Sequence, residues 1–276
     1  MDFSSSTLPL RITLIDLDDL KPHEEIIEQS VAELAYKIRT QNEVRDPLMV
    51  DKQSLVILDG MHRYNALKRI GCRCAPVCLV EYDDPRIVVG AWFRFFNVNE
   101  PDSLAAEALE ALDLKYERKA NDADQTDLAS TAVITKLSAF QLTKAVDRLS
   151  KSQLAVRTEK YISGRGSKCE HAPENAVAEQ LSSNANIVIP VPVFSKTEIK
   201  ETAISGRLLP HKVTRHVIPS RPLGVNVPLD LLINHTCEVA AEKLDQLLSS
   251  RHVNRKSPGL VVDGRRYQEE LLVFGA

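Results

Sequence analysis

The sequence predicts a two-domain protein of the α+β class. Apolar runs of strand length, such as residues 11–17, occur beside stretches with apolar side chains at helical spacing, such as residues 30–38 and 101–114. The 276 residues are enough for one large domain or two modest ones, and we find no internal repeat. We place the boundary near residue 100, with an N-terminal domain at 1–100 and a mixed α/β C-terminal domain at 101–276.

Local patterns predict the elements of the N-terminal domain. Ser30 and Glu33 have the spacing of a capping box, which predicts a helix that begins near Ser30. Gly71 is expected to follow the end of a second helix at 63–70. Arg94 lies inside an apolar run, so its charge needs a partner. The expected strands are 11–17, 46–51, 55–60, 75–82 and 87–96.

The C-terminal domain is expected to combine helices with long polar segments. Residues 118–134 are polar and predict a linker or loop, and residues 164–175 predict a polar loop that is a candidate lid. Prolines within residues 186–195 indicate an edge strand. The other expected elements are helices at 101–114, 137–150, 195–206 and 236–252, an extended segment at 213–222, and a hairpin at 260–274 around Asp263-Gly264.

Composition narrows the classes of function. The residues are 43% apolar and 26% charged, as in ordinary globular proteins, and the formal net charge is −3. This charge disfavours DNA binding over the whole surface. There is no run of 18 apolar residues that would span a membrane, and the first residues lack the basic and apolar regions of a signal peptide. We therefore expect a cytoplasmic protein.

The five cysteines do not form a recognisable metal motif. Cys72, Cys74 and Cys78 have spacings of two and four, which favour buried thiols in a helix–strand connection over a zinc site. A disulfide framework is not expected in a cytosolic chain of this size. Cys169 and His171 lie in a polar segment, where a plain loop and a haem or metal ligand are both open interpretations.

The segment "ILDGMHRYNALKRIG", residues 57–71, is the strongest functional signal. It places Asp59, Gly60, His62 and Arg63 where a strand passes into a helix. The start of a helix attracts anions, so two basic side chains there oppose the helix dipole unless an anionic ligand is bound. Arginine offers a planar fork for phosphate oxygens, and glycine lets the backbone approach closely. A phosphate site and a plain turn are the two readings that remain.

Three segments in order resemble the free L-serine kinases of the ParB/sulfiredoxin superfamily, together with the related protein of the staphyloferrin B siderophore cluster. They are "LKPHEE" at 20–25, the D-G-M-H-R core at 59–63 and "PHKVTRHVIPSRP" at 210–222. Met61 stands where sulfiredoxins need a catalytic cysteine, which excludes that chemistry. We see neither the arginine-rich core nor the helix-turn-helix of ParB partition proteins.

The resemblance implies a ParB/sulfiredoxin-like nucleotide-binding domain at 1–100 and a C-terminal domain that completes the serine site. The implied reaction is phosphoryl transfer from ADP or ATP to free L-serine, giving O-phospho-L-serine for cysteine, siderophore or diaminopropionate synthesis. Glu24 matches the glutamate that accepts the serine hydroxyl proton, with Glu25 as the neighbouring alternative. The implied ligands of the nucleotide phosphates are Asp59, which also lies near Mg²⁺, Gly60, His62 and Arg63.

Four further residues are implied to bind serine. Arg215 suits a carboxylate, and Thr214 and His216 lie beside it in the chain. The same three polar residues would also fit an exposed strand edge that binds no ligand. Trp92 lines the pocket or belongs to the core. The expected partners are thus L-serine, ADP or ATP and Mg²⁺, without a membrane. Neither a Walker-type phosphate loop nor a protein-kinase motif is present in the sequence.

The alternative function is a ParB-like DNA-binding regulator that responds to a nucleotide or to haem. This alternative is supported by a group of basic residues near the C-terminus. Such a group is also typical of an ordinary solvent-exposed surface. These residues are Arg251, His252, Arg255, Lys256, Arg265 and Arg266.

Overall fold

The protein is an α+β structure in a computed structural model that describes residues 2–4, 8–122, 127–262 and 265–275. The tip of the expected hairpin, Asp263-Gly264, lies outside the described residues. The α-helices of the described residues are α1 Glu28–Gln41, α2 Met61–Ile70, α3 Pro101–Ala111, α4 Arg148–Ser163, α5 Val177–Ser183, α6 Lys196–Ile204, α7 Leu229–Ile233 and α8 Cys237–Ser249, with a 3₁₀ turn at Glu174–Ala176.

The strands are mostly short, and they are numbered here in chain order. They are β1 Asp2–Ser4, β2 Pro9–Asp16, β3 Glu43–Val44, β4 Leu48–Asp51, β5 Ile57–Asp59, β6 Cys74–Val80, β7 Val88–Gly90, β8 Trp92–Phe96, β9 Tyr116–Ala120, β10 Thr131–Thr135, β11 Ser138–Leu142, β12 Glu170–Pro173, β13 Ile187–Ile189, β14 Arg215–Val217, β15 Ser220–Leu223, β16 Val227–Pro228, β17 Val253–Lys256, β18 Val261–Val262, β19 Arg265–Arg266 and β20 Glu270–Phe274.

The chain divides into two compact units. The first unit comprises Met1–Val88, Lys196–Leu208 and His216–Ala276, and the second comprises Val89–Ser195 and Leu209–Arg215. This division differs from the expected boundary near residue 100. The difference arises because two later segments, Lys196–Leu208 and His216–Ala276, pack with the N-terminal residues, and a single cut in the sequence cannot describe such an arrangement.

A five-stranded sheet forms the centre of the first unit, with the order β1-β2-β6-β4-β5. Strand β6 pairs antiparallel with β2 and parallel with β4, and β5 pairs antiparallel with β4. The three cysteines of residues 72–78 are buried free thiols, as the sequence predicts. Strand β5 is an outer strand of this sheet, which leaves its other side available to the segment that precedes α1.

Helix α1 begins two residues before the expected capping box. Ile27 is the N-cap residue and its side chain cannot accept a hydrogen bond, so Ser30 and Glu33 lie inside the helix and the capping-box prediction is wrong. The N–H of Ile27 instead donates to Nε2 of His62, at 3.1 Å. A side chain from α2 thus supplies the cap that the local sequence does not.

The first unit contains a second sheet, whose strands are distant in sequence from those of the five-stranded sheet. Its order is β15-β20-β17, with β15 parallel and β17 antiparallel to β20. Leu223, Tyr267 and Leu271 form its buried apolar cluster. Arg221 lies in β15, and Glu269 immediately precedes β20.

The second unit is built on a six-stranded antiparallel sheet with the order β12-β8-β13-β10-β11-β9. Strand β12 lies within the expected loop 164–175, and strands β9 and β10 overlap the expected loop 118–134, so those two predictions are wrong in part. Strands β9 and β12 are outer strands, which tolerate the charged and polar residues that resemble a loop in sequence, whereas β10 is a buried inner strand. The candidate lid at 164–175 is therefore partly a strand paired with β8.

Two further expectations for the second unit are wrong. Residues 138–142 form strand β11 and helix α4 begins only at Arg148, where the Asp147 carboxylate accepts from the N–H of Ser150 at 2.9 Å. Strand β13 lies between β8 and β10 instead of at an edge. The prolines at 190 and 192 follow the end of this strand, so they remove no hydrogen bond from the sheet.

None of the helices in the described part of the chain is both long and apolar enough to cross a membrane.

Candidate active site

The turn at Asp59-Gly60 joins strand β5 to helix α2, as predicted, although the helix starts at Met61, two residues earlier than expected. Gly60 has a φ of 107°, a left-handed conformation that favours glycine. A Cβ at this position would lie 2.5 Å from a side-chain carbon of Leu48. The turn therefore requires glycine, and the positive end of the α2 dipole begins immediately after it.

Arg63 is anchored beside this turn. Its Nη1 donates to the backbone oxygen of Pro47 at 2.9 Å and lies 3.1 Å from the position that a Cβ of Gly60 would take. The bond to Pro47 uses one of the five N–H donors of the guanidinium. A fixed cation thus stands at a helix N-terminus, where the dipole already favours an anion.

His62 has a structural contact that the sequence did not predict. Its Nε2 accepts the N–H of Ile27, so that nitrogen carries no proton and the neutral ring carries its proton on Nδ1. An interaction of His62 with a phosphate would therefore use Nδ1. The same imidazole fixes the start of α1 relative to the start of α2.

The outer side of strand β5 pairs with the segment that contains His23. The N–H of Ile57 donates to the Lys21 oxygen at 3.0 Å, and His23 Nδ1 lies 2.7 Å from the Ile57 oxygen. His23 is only 1% exposed, and burial lowers its pKa. A neutral His23 thus donates to the strand from Nδ1.

These contacts also place the two glutamates that follow His23. Glu24 is partly buried and its charge acts on His23, whereas Glu25 is exposed. Glu24 is therefore the less accessible of the two glutamates, and Glu25 lies at the surface. This difference favours Glu24 over its neighbour as a functional carboxylate.

His216 packs against His23 and holds the same strand. The two rings meet edge to face with centroids 5.4 Å apart, and His216 hydrogen-bonds to the Leu58 backbone. Its Nε2 lies 2.8 Å from the hydroxyl of Tyr82, whose pKa is raised by burial. Burial, followed by the neighbouring His23, lowers the pKa of His216 to about 3. His216 is therefore neutral at pH 7, and Tyr82 donates to it.

Arg221 holds the carboxylate at the end of the strand. Its buried guanidinium bonds to Asp59 through Nη1 and to Glu269 through Nε, the latter at 2.9 Å. Burial alone would lower the pKa of Arg221, but the two carboxylates outweigh it and the pKa is raised. Asp59 is 37% exposed at its side chain, so it faces both this buried cation and the solvent.

A cavity of about 420 Å³ lies next to Glu269 in the first unit. Its lining includes Ile218, Arg255, Lys256 and Gln268. This cavity is a second place in the first unit, besides the turn at Asp59-Gly60, where ligand binding can be tested.

Two of the predicted serine ligands lie together in the second unit. The Arg215 guanidinium is 5.6 Å from the centre of the Trp92 ring, and the ammonium of Lys212 is 5.4 Å from it. Trp92 is partly exposed and so is not a core residue, while Thr214 is buried. These contacts are cation–π interactions, which bring positive charge to an aromatic face.

The buried charge of Arg94 has the partner that the sequence required. Its Nε donates to Glu159 at 2.9 Å, and its other nitrogens donate to the backbone oxygens of Trp92, His211 and Lys212 at 3.0–3.3 Å. A side chain that is 0% exposed thus ties the segment before Arg215 to strand β8.

Sequence reasoning missed Tyr82, Arg221 and Glu269. The available sequence signal for Arg221 is a charge between the apolar residues Ile218 and Leu223. The structure buries all four residues of this strand, and a buried arginine requires a carboxylate, as Arg94 does. Its partner Asp59 is 162 residues away in sequence, and local patterns do not reveal such a pairing.

Comparisons with known proteins agree with this fold. Residues 3–91 match the ParB N-terminal domain. An ATP-dependent L-serine kinase of Staphylothermus marinus is 24% identical over 233 residues, which cover 79% of this chain and 90% of the relative. An ADP-dependent L-serine kinase of Thermococcus kodakarensis is 25% identical over 227 residues, which cover 79% of this chain and 91% of the relative.

A solved structure shares the architecture. It is a free serine kinase in complex with ADP in which a glutamate is replaced by alanine, with a TM-score of 0.68 and 20% identity over 80% of this chain and 93% of that one. The fold and the turn at Asp59-Gly60 thus identify the chain as an α+β protein with a ParB-type N-terminal domain. The chain is a relative of the free L-serine kinases, which confirms the resemblance seen in the sequence.

We expect His216 to make the stability of the protein depend on pH. An unfolded chain takes up this proton near the ordinary pKa of 6.5, whereas the folded chain does so only near pH 3. Stability that is present above pH 6.5 is therefore lost as the pH falls toward 3. From pH 7 to pH 5 the contribution lost is about 2 kcal/mol.

The replacement His216→Gln keeps a donor and an acceptor but cannot titrate. The free energy of unfolding, measured by urea denaturation, should fall by about 2 kcal/mol less in this variant than in the wild type between pH 7 and pH 5. The control His235→Gln should behave as the wild type. Equal losses in the wild type and in His216→Gln would contradict this account.

Proposed function

We propose that this protein is a cytoplasmic free L-serine kinase that transfers a phosphoryl group from ADP or ATP to L-serine, giving O-phospho-L-serine. The observation that carries the proposal is the turn from Asp59 to Arg63, where a glycine with positive φ, an anchored arginine and the start of a helix occur together. Such an arrangement suits an anion such as a nucleotide phosphate. The names of the curated relatives support phosphoryl transfer to serine.

The phosphates are assigned to the start of α2. Backbone N–H groups after Gly60 point toward the helix N-terminus, and Arg63 supplies a charge-assisted fork. His62 adds a donor from Nδ1, because its Nε2 is used by Ile27. Phosphoryl transfer demands that negative charge be neutralised during the reaction, and these groups provide part of that neutralisation.

Asp59 fits a magnesium ion in part. Magnesium in kinases is held by one or two carboxylates together with the phosphates, and Asp59 is a partly exposed carboxylate next to the proposed phosphate site. Its bond to Arg221 orients the carboxylate and also competes with a cation for its charge. Bound Mg²⁺ would supply further neutralisation of the transferred group.

Glu24 is assigned the role of general base. It is the partly buried member of the pair that follows His23, and the β5 contacts of Lys21 and His23 fix the backbone on which it sits. A carboxylate in this position would accept the proton of the serine hydroxyl as the oxygen attacks the phosphorus.

The serine molecule is assigned to Arg215, with Trp92 lining the site and with Thr214 and His216 orienting the rest. Free serine carries a carboxylate and an ammonium group, and both must be paired if they are buried. Arg215 suits the carboxylate. His216 is neutral and bonded to Tyr82 and the Leu58 backbone, so its part is to orient neighbouring groups.

Formation of O-phosphoserine is the direct test of the proposal. The protein is incubated with free L-serine and Mg²⁺, with ADP and ATP in separate reactions, and O-phosphoserine is measured by ³¹P nuclear magnetic resonance. The relatives include both ADP- and ATP-dependent enzymes, so the donor is read from which reaction proceeds. The absence of O-phosphoserine from both reactions would overturn the proposal. The DNA-binding alternative has less support, because three curated relatives are named as serine kinases.

Glu24→Gln should keep nucleotide binding and lose turnover by about 10²–10⁴-fold, because the amide cannot accept the hydroxyl proton. Glu25→Gln is a matched control and should remain close to the wild type, since Glu25 is exposed. Steady-state kinetics with calorimetric nucleotide binding checks both. Near-normal turnover in Glu24→Gln would remove this assignment.

Arg63→Ala should weaken nucleotide binding by about tenfold to a hundredfold, because a charge-assisted hydrogen bond contributes about 1.5–3 kcal/mol. Arg63→Lys should recover only part of the loss, since an ammonium lacks the planar fork. Arg69→Ala, near the end of the same helix, serves as the control. Unchanged affinity in Arg63→Ala by calorimetry would exclude a phosphate ligand here.

Arg215→Ala should raise the KM for serine by about tenfold or more, because a charged hydrogen bond to the carboxylate is lost, and should leave the nucleotide KM nearly unchanged. The exposed Arg207 provides the control Arg207→Ala. Serine within a peptide lacks both free charges and should be a poor substrate. Efficient phosphorylation of such a peptide would contradict recognition of the free amino acid.

A further inference from the structure

Three potential metal ligands converge in the second unit, apart from the residues assigned to the kinase reaction. Cys169 precedes strand β12, His171 lies within it, and Glu159 faces them from helix α4. One ligand atom from each residue lies within 4.8 Å of the other two. Among the described residues, these three are the group of potential metal ligands whose ligand atoms lie this close together.

The distances suit a single metal ion. The Cys169 sulfur is 4.0 Å from His171 Nε2, and that nitrogen is 3.8 Å from Glu159 Oε1. Zinc bonds of about 2.0–2.3 Å at tetrahedral angles would place such atoms about 3.3–3.6 Å apart. The two measured separations exceed these values by about half an ångström, and the third pair lies within 4.8 Å, so side-chain movements of at most about 1.5 Å would bring the three atoms to one ion.

The surroundings orient the carboxylate as metal sites require. Arg94 donates to Oε2 of Glu159, and His211 Nε2 lies 3.9 Å from the same oxygen. The other oxygen, Oε1, faces His171. Partners of this kind fix the orientation of a metal ligand and are characteristic of metal sites.

The side chains are also accessible to an incoming ion. The side chain of His171 is 22% exposed and that of Glu159 is 13% exposed. Burial lowers the pKa of His171 to about 4, so its ring is neutral at pH 7, and burial raises the pKa of Cys169 to about 12. The thiol would release its proton to solvent as a metal–sulfur bond forms.

We propose that Glu159, Cys169 and His171 bind one Zn²⁺ ion, with a water molecule as the fourth ligand. A thiolate, an imidazole and a carboxylate form a mixed set that zinc accepts, whereas Mg²⁺ and Ca²⁺ prefer oxygen alone. The ion would link helix α4 to strand β12, an outer strand of the six-stranded sheet. It would hold the segment 164–175 in place without taking part in the phosphoryl transfer.

The test uses the full chain after treatment with a chelator and removal of the chelator. Zn²⁺ binding is measured by calorimetry, and Co²⁺ is added separately because a thiolate ligand to cobalt gives a charge-transfer absorption band. The variants are Cys169→Ser and His171→Ala, and the matched controls are Cys237→Ser and His235→Ala. Circular dichroism establishes that each variant is folded.

The wild type and both controls should bind one Zn²⁺ per chain and show the cobalt–thiolate band. Each site variant should lose affinity by at least about a hundredfold, because even loss of an outer partner of a metal ligand costs about 10–100-fold. The cobalt band should vanish in Cys169→Ser. The proposal is overturned if the wild type binds no zinc, if both variants keep its affinity, or if the band persists without Cys169.

Discussion

The end of strand β5 is held by three side chains, and the candidate active site depends on this arrangement. His23 bonds to the Ile57 oxygen, His216 to the Leu58 backbone and Arg221 to the Asp59 carboxylate. The strand is an outer one, so its backbone groups would otherwise lack partners from the sheet. Because both imidazoles are neutral at pH 7, they act as hydrogen-bonding groups without adding charge near Asp59.

This support gives the turn a defined position. Strand β5 is three residues long, and helix α2 follows after a single glycine whose backbone conformation disfavours other residues. A ligand that binds at the start of α2 would meet N–H groups and a guanidinium that are already in place, so little ordering would be needed on binding. Arg221 and Glu269 come from the last quarter of the chain, so the first unit must fold as a whole to form the turn.

The turn itself could be predicted from sequence, because a strand, an Asp-Gly pair and a helix start are all local signals. Contacts between distant segments could not be predicted from the sequence. Arg221 is 162 residues from Asp59, and the Ile27 cap comes from His62, 35 residues away. Composition predicts loops at 118–134 and 164–175, but both segments contain strand residues. The outer strands β9 and β12 carry polar residues, so composition alone does not separate them from loops, and the buried inner strand β10 occupies the end of a mostly polar segment. The free serine kinase relationship could be predicted from three ordered motifs.

The central claim, that the start of α2 is the phosphate site, is tested most directly by nuclear magnetic resonance of the backbone amides. ADP is titrated into ¹⁵N-labelled protein, and the change in chemical shift is recorded for each amide. Our account predicts the largest changes at the N–H groups of Gly60, Met61 and His62. Unchanged shifts at these amides, with large changes at Ile218 and Lys256 in the cavity beside Glu269, would contradict it.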